Sequence, residues 1–534
     1  MTDMSSSSAP RWPYAVSGAL AAAAGAAAGH LVAALVNPDA SPVVAVGAAV
    51  VDATPTPVKE WAVATLGTAD KPVLLGSVAV VALLAAAGIG VLARSRRTLA
   101  LVLLGAVTVL PALAALTRPT STPVDVFPAL ATALVGVVAL HWLAGRADRL
   151  RPGGRTAATA IPAVRSPLDG TAHEAGAPPT AARRSFLLGA AGVAAAAAAG
   201  AALGQKVGTN PTLPTAADLP RPGAPLPALP AGLEQRVRGI SPFRTPVRSF
   251  YRVDTSLIVP RIDPADWALE IDGDVANPFR LTYAELLDLP MIERDITLTC
   301  VSNEVGGGYV SSARWLGVRV RDLLDRAQVG RGADQVLSTS TSGFTISTPL
   351  QALVDDRDAL VAVAMNGDPL PPRHGFPARL VTPGLYGFVG STKWLARLTA
   401  TTYARDKAYW TERGWATEAP VLTQSRIDTP KGLSTVRAGE SVPIGGVAWA
   451  QGRGIRSVEV RVDDGEWRPA TLGPEAGIDY WRQWYLPWEV PPGSGRHTLT
   501  VRATDNDGQV QTDAKAEPFP RGATGWHSVV VFVS

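Results

Sequence analysis

The sequence predicts three parts in order: an N-terminal all-α transmembrane bundle, an α+β domain, and a C-terminal antiparallel β-sandwich of immunoglobulin-like type. Three observations predict them. Ala- and Gly-rich apolar runs crowd the first 205 positions, strands and short helices punctuated by Gly and Pro fill the middle, and short alternating strands with turn signals fill the end. Hydrophobic residues make up 47% of the 534 positions and charged ones only 18%, which fits a membrane section followed by a soluble section. The net charge of +4 divides unevenly: residues 1–206 hold 15 Lys/Arg against 9 Asp/Glu, and residues 207–534 hold 34 against 36. The later part is therefore near neutral. It has no basic patch, which argues against nucleic acid as a partner.

Crossing a bilayer takes roughly 20 apolar residues. Residues 14–36, 72–93, 98–117, 126–144 and 186–204 meet that length and form the membrane region 1–206. Residues 43–67 are also apolar but carry Asp52, Pro55, Pro57, Lys59 and Glu60, and read as a surface-lying loop with amphipathic pieces. A cytoplasmic N-terminus puts 11 basic residues on inside loops (among them Arg94, Arg96, Arg97, Arg146, Arg155, Arg165, Arg183 and Arg184) and 3 outside, Lys59, Lys71 and Arg118. The positive-inside rule then makes this a multi-pass cell-membrane protein with everything after Lys206 extracytoplasmic. Arg183-Arg184-Ser-Phe-Leu187 before a weakly hydrophobic Ala/Gly helix has the pattern of a twin-arginine export signal, alongside the simpler reading of a stop-transfer flank. His30 and His141 fall near opposite ends of their spans, so they do not read as a haem pair.

Residues 207–247 read as a linker, with seven prolines from Pro211 to Pro230. The α+β domain covers 248–405. It opens on an alternating strand at Trp267-Ala-Leu-Glu-Ile-Asp-Gly. A capping box then starts a helix, Thr282-Tyr-Ala-Glu285. A further helix is expected over 320–327 and a strand near 343–348. In the last part, 406–534, strands are expected at 442–449, 457–462 and 497–502. Asp505-Asn-Asp-Gly508 reads as a turn, since no glutamate follows at a calcium loop's final position.

One stretch concentrates the chemistry: Asp295-Ile-Thr-Leu-Thr-Cys300-Val-Ser-Asn303-Glu304-Val-Gly-Gly-Gly308. Cys300 is the single cysteine, so it forms no internal disulfide. It is a buried small hydrophobe, a nucleophile or a soft metal ligand. Downstream, His374, Arg379 and Lys393 punctuate a Gly/Pro-rich path on which backbone can approach a large ligand and side chains can grip phosphate or polar ring edges. The same residues also suit a tight surface loop with ordinary salt bridges.

Taken together these stretches resemble the sulfite oxidase family of molybdenum enzymes, from about Ser249 to Ser534. The family's Cys-x-x-Asn matches Cys300 and Asn303. Its Ala-x-Trp-x-Gly-Val matches Ala313, Trp315, Gly317 and Val318. The run from Asn366-Gly367 through His374-Gly-Phe-Pro-Ala-Arg379 and Pro383-Gly384 to Lys393-Trp394 follows in family order. Gly446-Val-Ala-Trp449, Trp481-Arg482-Gln-Trp484 and the closing Trp526-His527 look like the family's dimerisation domain. The resemblance implies a Mo-molybdopterin cofactor, Cys300 as thiolate ligand of molybdenum, and Asn303, His374, Arg379 and Lys393 around the pterin and its phosphate. It also implies two-electron oxygen-atom transfer with a small oxo donor or acceptor, and it allows a homodimer.

For the substrate pocket the resemblance implies Arg252, Trp315 and Arg482 as retained family positions. Glu304 stands where sulfite-oxidising relatives have an arginine, and Trp415 where they have a tyrosine. A carboxylate in place of a cation disfavours an anionic substrate such as sulfite and favours a neutral or cationic one. Neither a b5-like haem domain nor a Cys-x-x-Cys-His site occurs in the sequence, so electrons are expected to pass through a separate partner, a cytochrome or a quinone-linked membrane protein. Two alternatives accompany this reading: an S- or N-oxide reductase of the same family, and a non-catalytic membrane-anchored binding module.

Overall fold

The computed structural model describes residues 10–118, 120–151, 179–207, 213–254 and 256–534. Arg155 and Arg165, counted among the inside charges, and the first positions of the proline-rich stretch lie outside them. The chain divides into two compact units, broadly before and after residue 210.

The first unit is helical: α1 (Trp12–Val36), α2 (Pro42–Ala53), α3 (Thr56–Leu66), α4 (Asp70–Leu92), α5 (Arg97–Val107), α6 (Val109–Leu116), α7 (Phe127–Asp148) and α8 (Pro179–Val207). Five helical stretches are long and apolar enough to cross a membrane, with α5 and α6 together forming the third. They separate beside Pro111, whose missing N–H leaves the Val107 carbonyl without its helical donor. The stretch expected to be a surface loop is instead two helices, α2 and α3. Pro42 and Pro57 stand in their first turns, where proline starts a helix rather than breaking one.

Helix α1 is central and packs on α4, α7 and α8. Glycines make the close approaches: a Cβ on Gly18 would fall on the Ala86 carbonyl, one on Gly90 on the Tyr14 carbonyl, and one on Gly25 would stand 2.6 Å from the Thr132 carbonyl. Such seams of small residues let backbones touch where lipid offers no hydrophobic drive. At one end the Tyr14 hydroxyl donates to Asp148 (2.6 Å), which also pairs with Arg97 at 3.3 Å. Gly90→Val is expected to separate α1 from α4 and to lower the chain's thermal aggregation temperature in detergent by several degrees. An unchanged temperature would contradict the seam.

The second unit holds four sheets. Strands β1 (Ala268–Gly273), β2 (Phe279–Thr282), β3 (Ile292–Thr299), β4 (Val310–Arg319), β5 (Gln335–Ser340), β6 (Thr345–Pro349), β7 (Leu360–Met365), β8 (Asp368–Pro369), β9 (Arg379–Val381) and β10 (Leu395–Thr401) build two of them. Their orders are β2-β1-β10-β5-β6 and β3-β4-β7-β8, with β9 pairing β7. One core joins both sheets, from Leu269 and Ile271 on β1 through Ile296 on β3 to the wholly buried β7. The helix over Val320–Ala327 lies where expected, and the capping box forms: the Thr282 N–H donates to Glu285 at 2.8 Å and the Glu285 N–H to Thr282 Oγ1 at 3.3 Å.

Strands β11 (Gln424–Thr429), β12 (Thr435–Val436), β13 (Ser441–Trp449), β14 (Ile455–Val462), β15 (Arg468–Pro469), β16 (Thr471–Leu472), β17 (Arg482–Glu489), β18 (Gly495–Asp505) and β19 (His527–Val533) form the other two. Their orders are β11-β13-β17-β16 and β12-β19-β18-β14-β15. Ile444, Trp484, Val458 and Val501 from both of these sheets share one core. Asp505–Gly508 is a turn, closed by the Gly508 N–H on the Asp505 carbonyl at 3.0 Å.

The proline-rich stretch, where described, is a packed strap rather than a free spacer. Leu233, Val237, Ile240 and Phe243 are buried, the Leu226 N–H donates to Glu293 (2.9 Å) and the Leu233 N–H to Gln483 (2.7 Å). Extended proline-rich backbone lacks internal hydrogen bonds, so its N–H groups and carbonyls are available to neighbouring sheets.

Candidate functional site

β3 is the edge strand of its sheet, and Cys300 follows directly on it. The open edge is covered by loops of the C-terminal sheets. The Thr297 N–H donates to the Asp479 carbonyl (2.9 Å), the Trp481 N–H to Thr297 Oγ1 (2.8 Å), and Gln451 Nε2 to the Thr297 carbonyl and Thr299 Oγ1 (3.0 Å each). The loop beyond is closed locally. The Cys300 N–H donates to the Tyr309 carbonyl (2.9 Å), the Asn303 N–H to the Cys300 carbonyl (3.1 Å), and Asn303 Oδ1 accepts from the Tyr309 N–H at 2.7 Å. Asn303 thus ties the loop together through Oδ1, which leaves Nδ2 as its donor toward a ligand. At the glycine turn, Arg426 Nη1 donates to the Gly307 carbonyl (2.7 Å), and the His527 ring lies where a Cβ on Gly306 (φ +80°) would have to go.

Cys300 keeps part of its surface open although protein surrounds it, as expected for a group lining a recess. Burial pushes its thiol up, while the N–H and hydroxyl of Ser302 donate to the sulfur and pull it down. Two tyrosines that sequence reasoning passed over, Tyr251 and Tyr386, lie within electrostatic reach of it, and both phenols are raised by burial first. Tyr251 stands inside the Ser249–Arg252 motif. Only its sequence neighbourhood with Arg252 could have pointed to it.

Arg379 is buried behind this recess. Nη1 donates to the His374 carbonyl (3.1 Å), Nη2 to Ser391 Oγ (2.6 Å), and the guanidinium lies 5.1 Å from the centre of the Trp315 ring. Among the described residues no carboxylate pairs with it, Nε has no partner, and burial lowers it to about 10. A buried cation without a counter-charge is costly, and an anion arriving with a ligand would relieve that cost. His374 is buried, its Nε2 3.1 Å from the Val247 carbonyl. Burial, and then Arg379, bring it down to about 4, so it is neutral at ordinary pH with its proton on Nε2 and Nδ1 left as acceptor. Gly375 (φ +111°) is required: a Cβ there would stand 3.1 Å from Lys393 Cα and Arg379 Cβ.

Of the remaining expected pocket residues, Arg252 and Lys393 stand near the His374–Arg379 group. Arg252 Nε pairs with Asp254 at 2.9 Å, and Lys393 pairs with the same carboxylate and donates to the Val253 carbonyl (3.0 Å). One enclosed carboxylate draws both cations to itself. Arg482 is held by the Gly473 carbonyl (3.0 Å) and Glu475 (2.9 Å), and no described contact joins it to the Cys300 group. The side chain of Glu304 is exposed, where its charge is screened. Trp315 is fully buried, donates to the Ile296 carbonyl (3.3 Å) and serves as the face behind Arg379, not as a surface for substrate. Trp415 shares a buried cluster with Val301 and Tyr386, ringed by Phe388, Trp410 and Phe519 at 5.1–5.9 Å, and its Nε1 has no partner.

Two histidines give this unit a pH signature. His374 and His527 both titrate near 4 in the fold, His527 because of burial and then Arg426, against about 6.5 unfolded. The unfolded chain therefore binds more protons between those values, and each histidine withdraws up to about 3 kcal/mol as pH falls from 6.5 to 4. Asp479, raised to about 6 by burial, acts in the opposite sense over much of this window and offsets one of them. The cofactor-free chain is expected to lose several degrees of Tm between pH 7 and 4.5. A flat profile would show that these groups are not buried as described.

A soft thiolate, one unpaired buried cation and a neutral acceptor imidazole fit an anionic, sulfur-rich prosthetic group. Comparison with known proteins agrees in kind. Residues 256–410 match the oxidoreductase molybdopterin binding domain. Mitochondrial sulfite oxidase of Homo sapiens is 32% identical over 330 residues, covering 52% of this chain and 60% of that protein. Sulfite oxidase of Gallus gallus is 30% identical over 335 residues, covering 53% and 72%. Nitrate reductase [NADH] 1 of Oryza sativa subsp. japonica is 28% identical over 334 residues, covering 51% and 36%. The chain thus spans about 60% of the length of the first of these curated relatives.

Proposed function

The chain belongs to the sulfite oxidase family of molybdopterin oxidoreductases, and from that premise we propose that it is a membrane-anchored, extracytoplasmic member in which Cys300 ligates molybdenum and the substrate is a neutral oxo compound. One observation carries the substrate class. Of the candidate anion-binding cations, Arg482 pairs with Glu475, Arg252 and Lys393 share the single Asp254 carboxylate and so keep one positive charge between them, and Arg379 pairs with no carboxylate among the described residues. Both excess charges are best matched to the cofactor's own anionic groups, its phosphate among them. An anionic substrate would then give up its hydration without gaining a counter-ion.

A molybdenum–pterin group held here supplies two-electron redox chemistry coupled to oxygen-atom transfer. The chain's residues position and bias it. Ser302 donates to the Cys300 sulfur and favours the thiolate, Arg379 supplies fixed positive charge, and Asn303 Nδ2 and His374 Nδ1 offer one donor and one acceptor. We assign 248–405 to cofactor binding and 406–534 to an immunoglobulin-like, dimerisation-type domain that also clamps the cysteine loop. Electrons are exchanged with a separate cytochrome or quinone-linked protein. The 11 to 3 distribution of basic residues supports the orientation.

A neutral substrate also suits the reductive direction, with an S- or N-oxide as oxygen donor, as the second reading. A non-catalytic binding module gives no reason to hold Arg379 buried and unpaired. The deciding experiment compares kcat/KM of the molybdenum-loaded chain for sulfite and for a panel of neutral S- and N-oxides. Sulfite preferred by tenfold or more would overturn the substrate class.

A further inference from the structure

We propose that the Tyr251 hydroxyl is the hydrogen-bond donor that receives the oxygen of a neutral substrate in front of Cys300. The proposal rests on the neutral-substrate reading and deepens it by naming the group that recognises the oxygen.

The ring is fixed. It stacks on Phe250 at 5.6 Å, and Phe250 in turn stands edge-on to Trp315 and His374 at 5.7 Å each. The Tyr251 N–H donates to Ser311 Oγ at 3.1 Å. At the other end, the hydroxyl lies 3.6 Å from the point where a Cβ on Gly387 would stand, and the Thr299 carbonyl lies 3.7 Å from the same point. The phenol therefore ends in the same neighbourhood as the residue that precedes Cys300, within the fields of both Cys300 and Arg379. Tyr251 is half-buried, and its hydrogen bond to a described residue runs from the backbone N–H, not the hydroxyl. The hydroxyl is not sealed inside the protein, so its proton is available to a ligand in the recess. The other neutral donors are less suited. The Tyr386 oxygen already accepts from the Leu422 N–H at 3.5 Å in a fully packed setting, and the Trp415 indole is enclosed by an aromatic ring of neighbours.

An uncharged O–H discriminates by chemistry. It binds a sulfoxide or N-oxide oxygen without the counter-charge that sulfite requires, and rejects an analogue that lacks the oxygen.

The test uses the full-length, molybdenum-loaded chain in detergent, oxidised and without electron donor so that nothing turns over. Wild type and Tyr251→Phe, which keeps the ring stack, are titrated with methyl phenyl sulfoxide by calorimetry, and molybdenum content and Tm are measured in parallel. Tyr251→Phe is expected to weaken Kd about tenfold, the loss of one hydrogen bond to an enclosed acceptor, with molybdenum content and Tm unchanged. Kd values within twofold of each other would remove Tyr251 as the donor and leave the substrate class standing. Loss of molybdenum in the variant would also overturn the proposal, by showing that the phenol serves the cofactor. Failure of the wild type to bind the sulfoxide would overturn the substrate class and the donor together.

Discussion

Cys300→Ser is expected to leave the chain folded and to strip it of stably bound molybdenum. Serine is nearly isosteric, and the loop that carries it is closed by backbone and Asn303 contacts that do not involve the sulfur. The change in stability should therefore stay within about 1 kcal/mol. The effect on the metal is of another order. Groups one bond removed from a metal ligand already cost 10–100-fold when changed, so exchanging the ligand atom itself should cost more than about a hundredfold in retention and turnover. Hard alkoxide oxygen is a poor substitute for a soft thiolate in a sulfur-rich sphere. Metal content by mass spectrometry, read beside Tm, checks both halves. A variant with wild-type molybdenum and turnover would remove Cys300 from the metal.

Arg379→Met is expected to move the two forms of the protein in opposite directions. In the cofactor-free chain the guanidinium is desolvated with no counter-charge, and its descent to about 10 corresponds to about 3 kcal/mol of penalty. Methionine removes that penalty but deprives the His374 carbonyl and Ser391 of a donor, about 1 kcal/mol each, so the apo form should gain about 1 kcal/mol, or about 2 °C. In the loaded chain the same change is expected to remove charge-assisted bonds to the cofactor's anionic groups and to lower cofactor retention about a hundredfold. Thermal scans of both forms, with pterin content, separate the outcomes. A destabilised apo form with full cofactor retention would make Arg379 a scaffold residue instead.

Local signals in the sequence were dependable. The capping box at Thr282 and Glu285, the amphipathic helix over Val320–Ala327 and the alternating strands of the last part depend on neighbours within a few residues, and they lie where the pattern puts them. What sequence could not convey is which charges are already spent. Asp254 recruits Arg252 from two residues away and Lys393 from a distant loop, and only the fold shows that one carboxylate serves both. Tyr251 was overlooked for a related reason. A tyrosine beside an arginine has no pattern of its own, and its meaning comes from Phe250, Gly387 and Thr299 converging in space. Over α2 and α3 the charges and prolines together read as a surface-lying loop, whereas Pro42 and Pro57 open helices there.

The covering of the β3 edge has a consequence for how the protein can be taken apart. Residues 256–410 make up the matched domain, yet the strand that delivers Cys300 borrows its outer hydrogen-bond partners from Asp479, Trp481 and Gln451. A fragment ending near residue 410 would expose an unpaired strand edge beside apolar side chains, the kind of surface that recruits a second copy and precipitates. The cofactor half is thus not a portable module. Any minimal soluble form has to keep both C-terminal sheets, even for work concerned only with the metal.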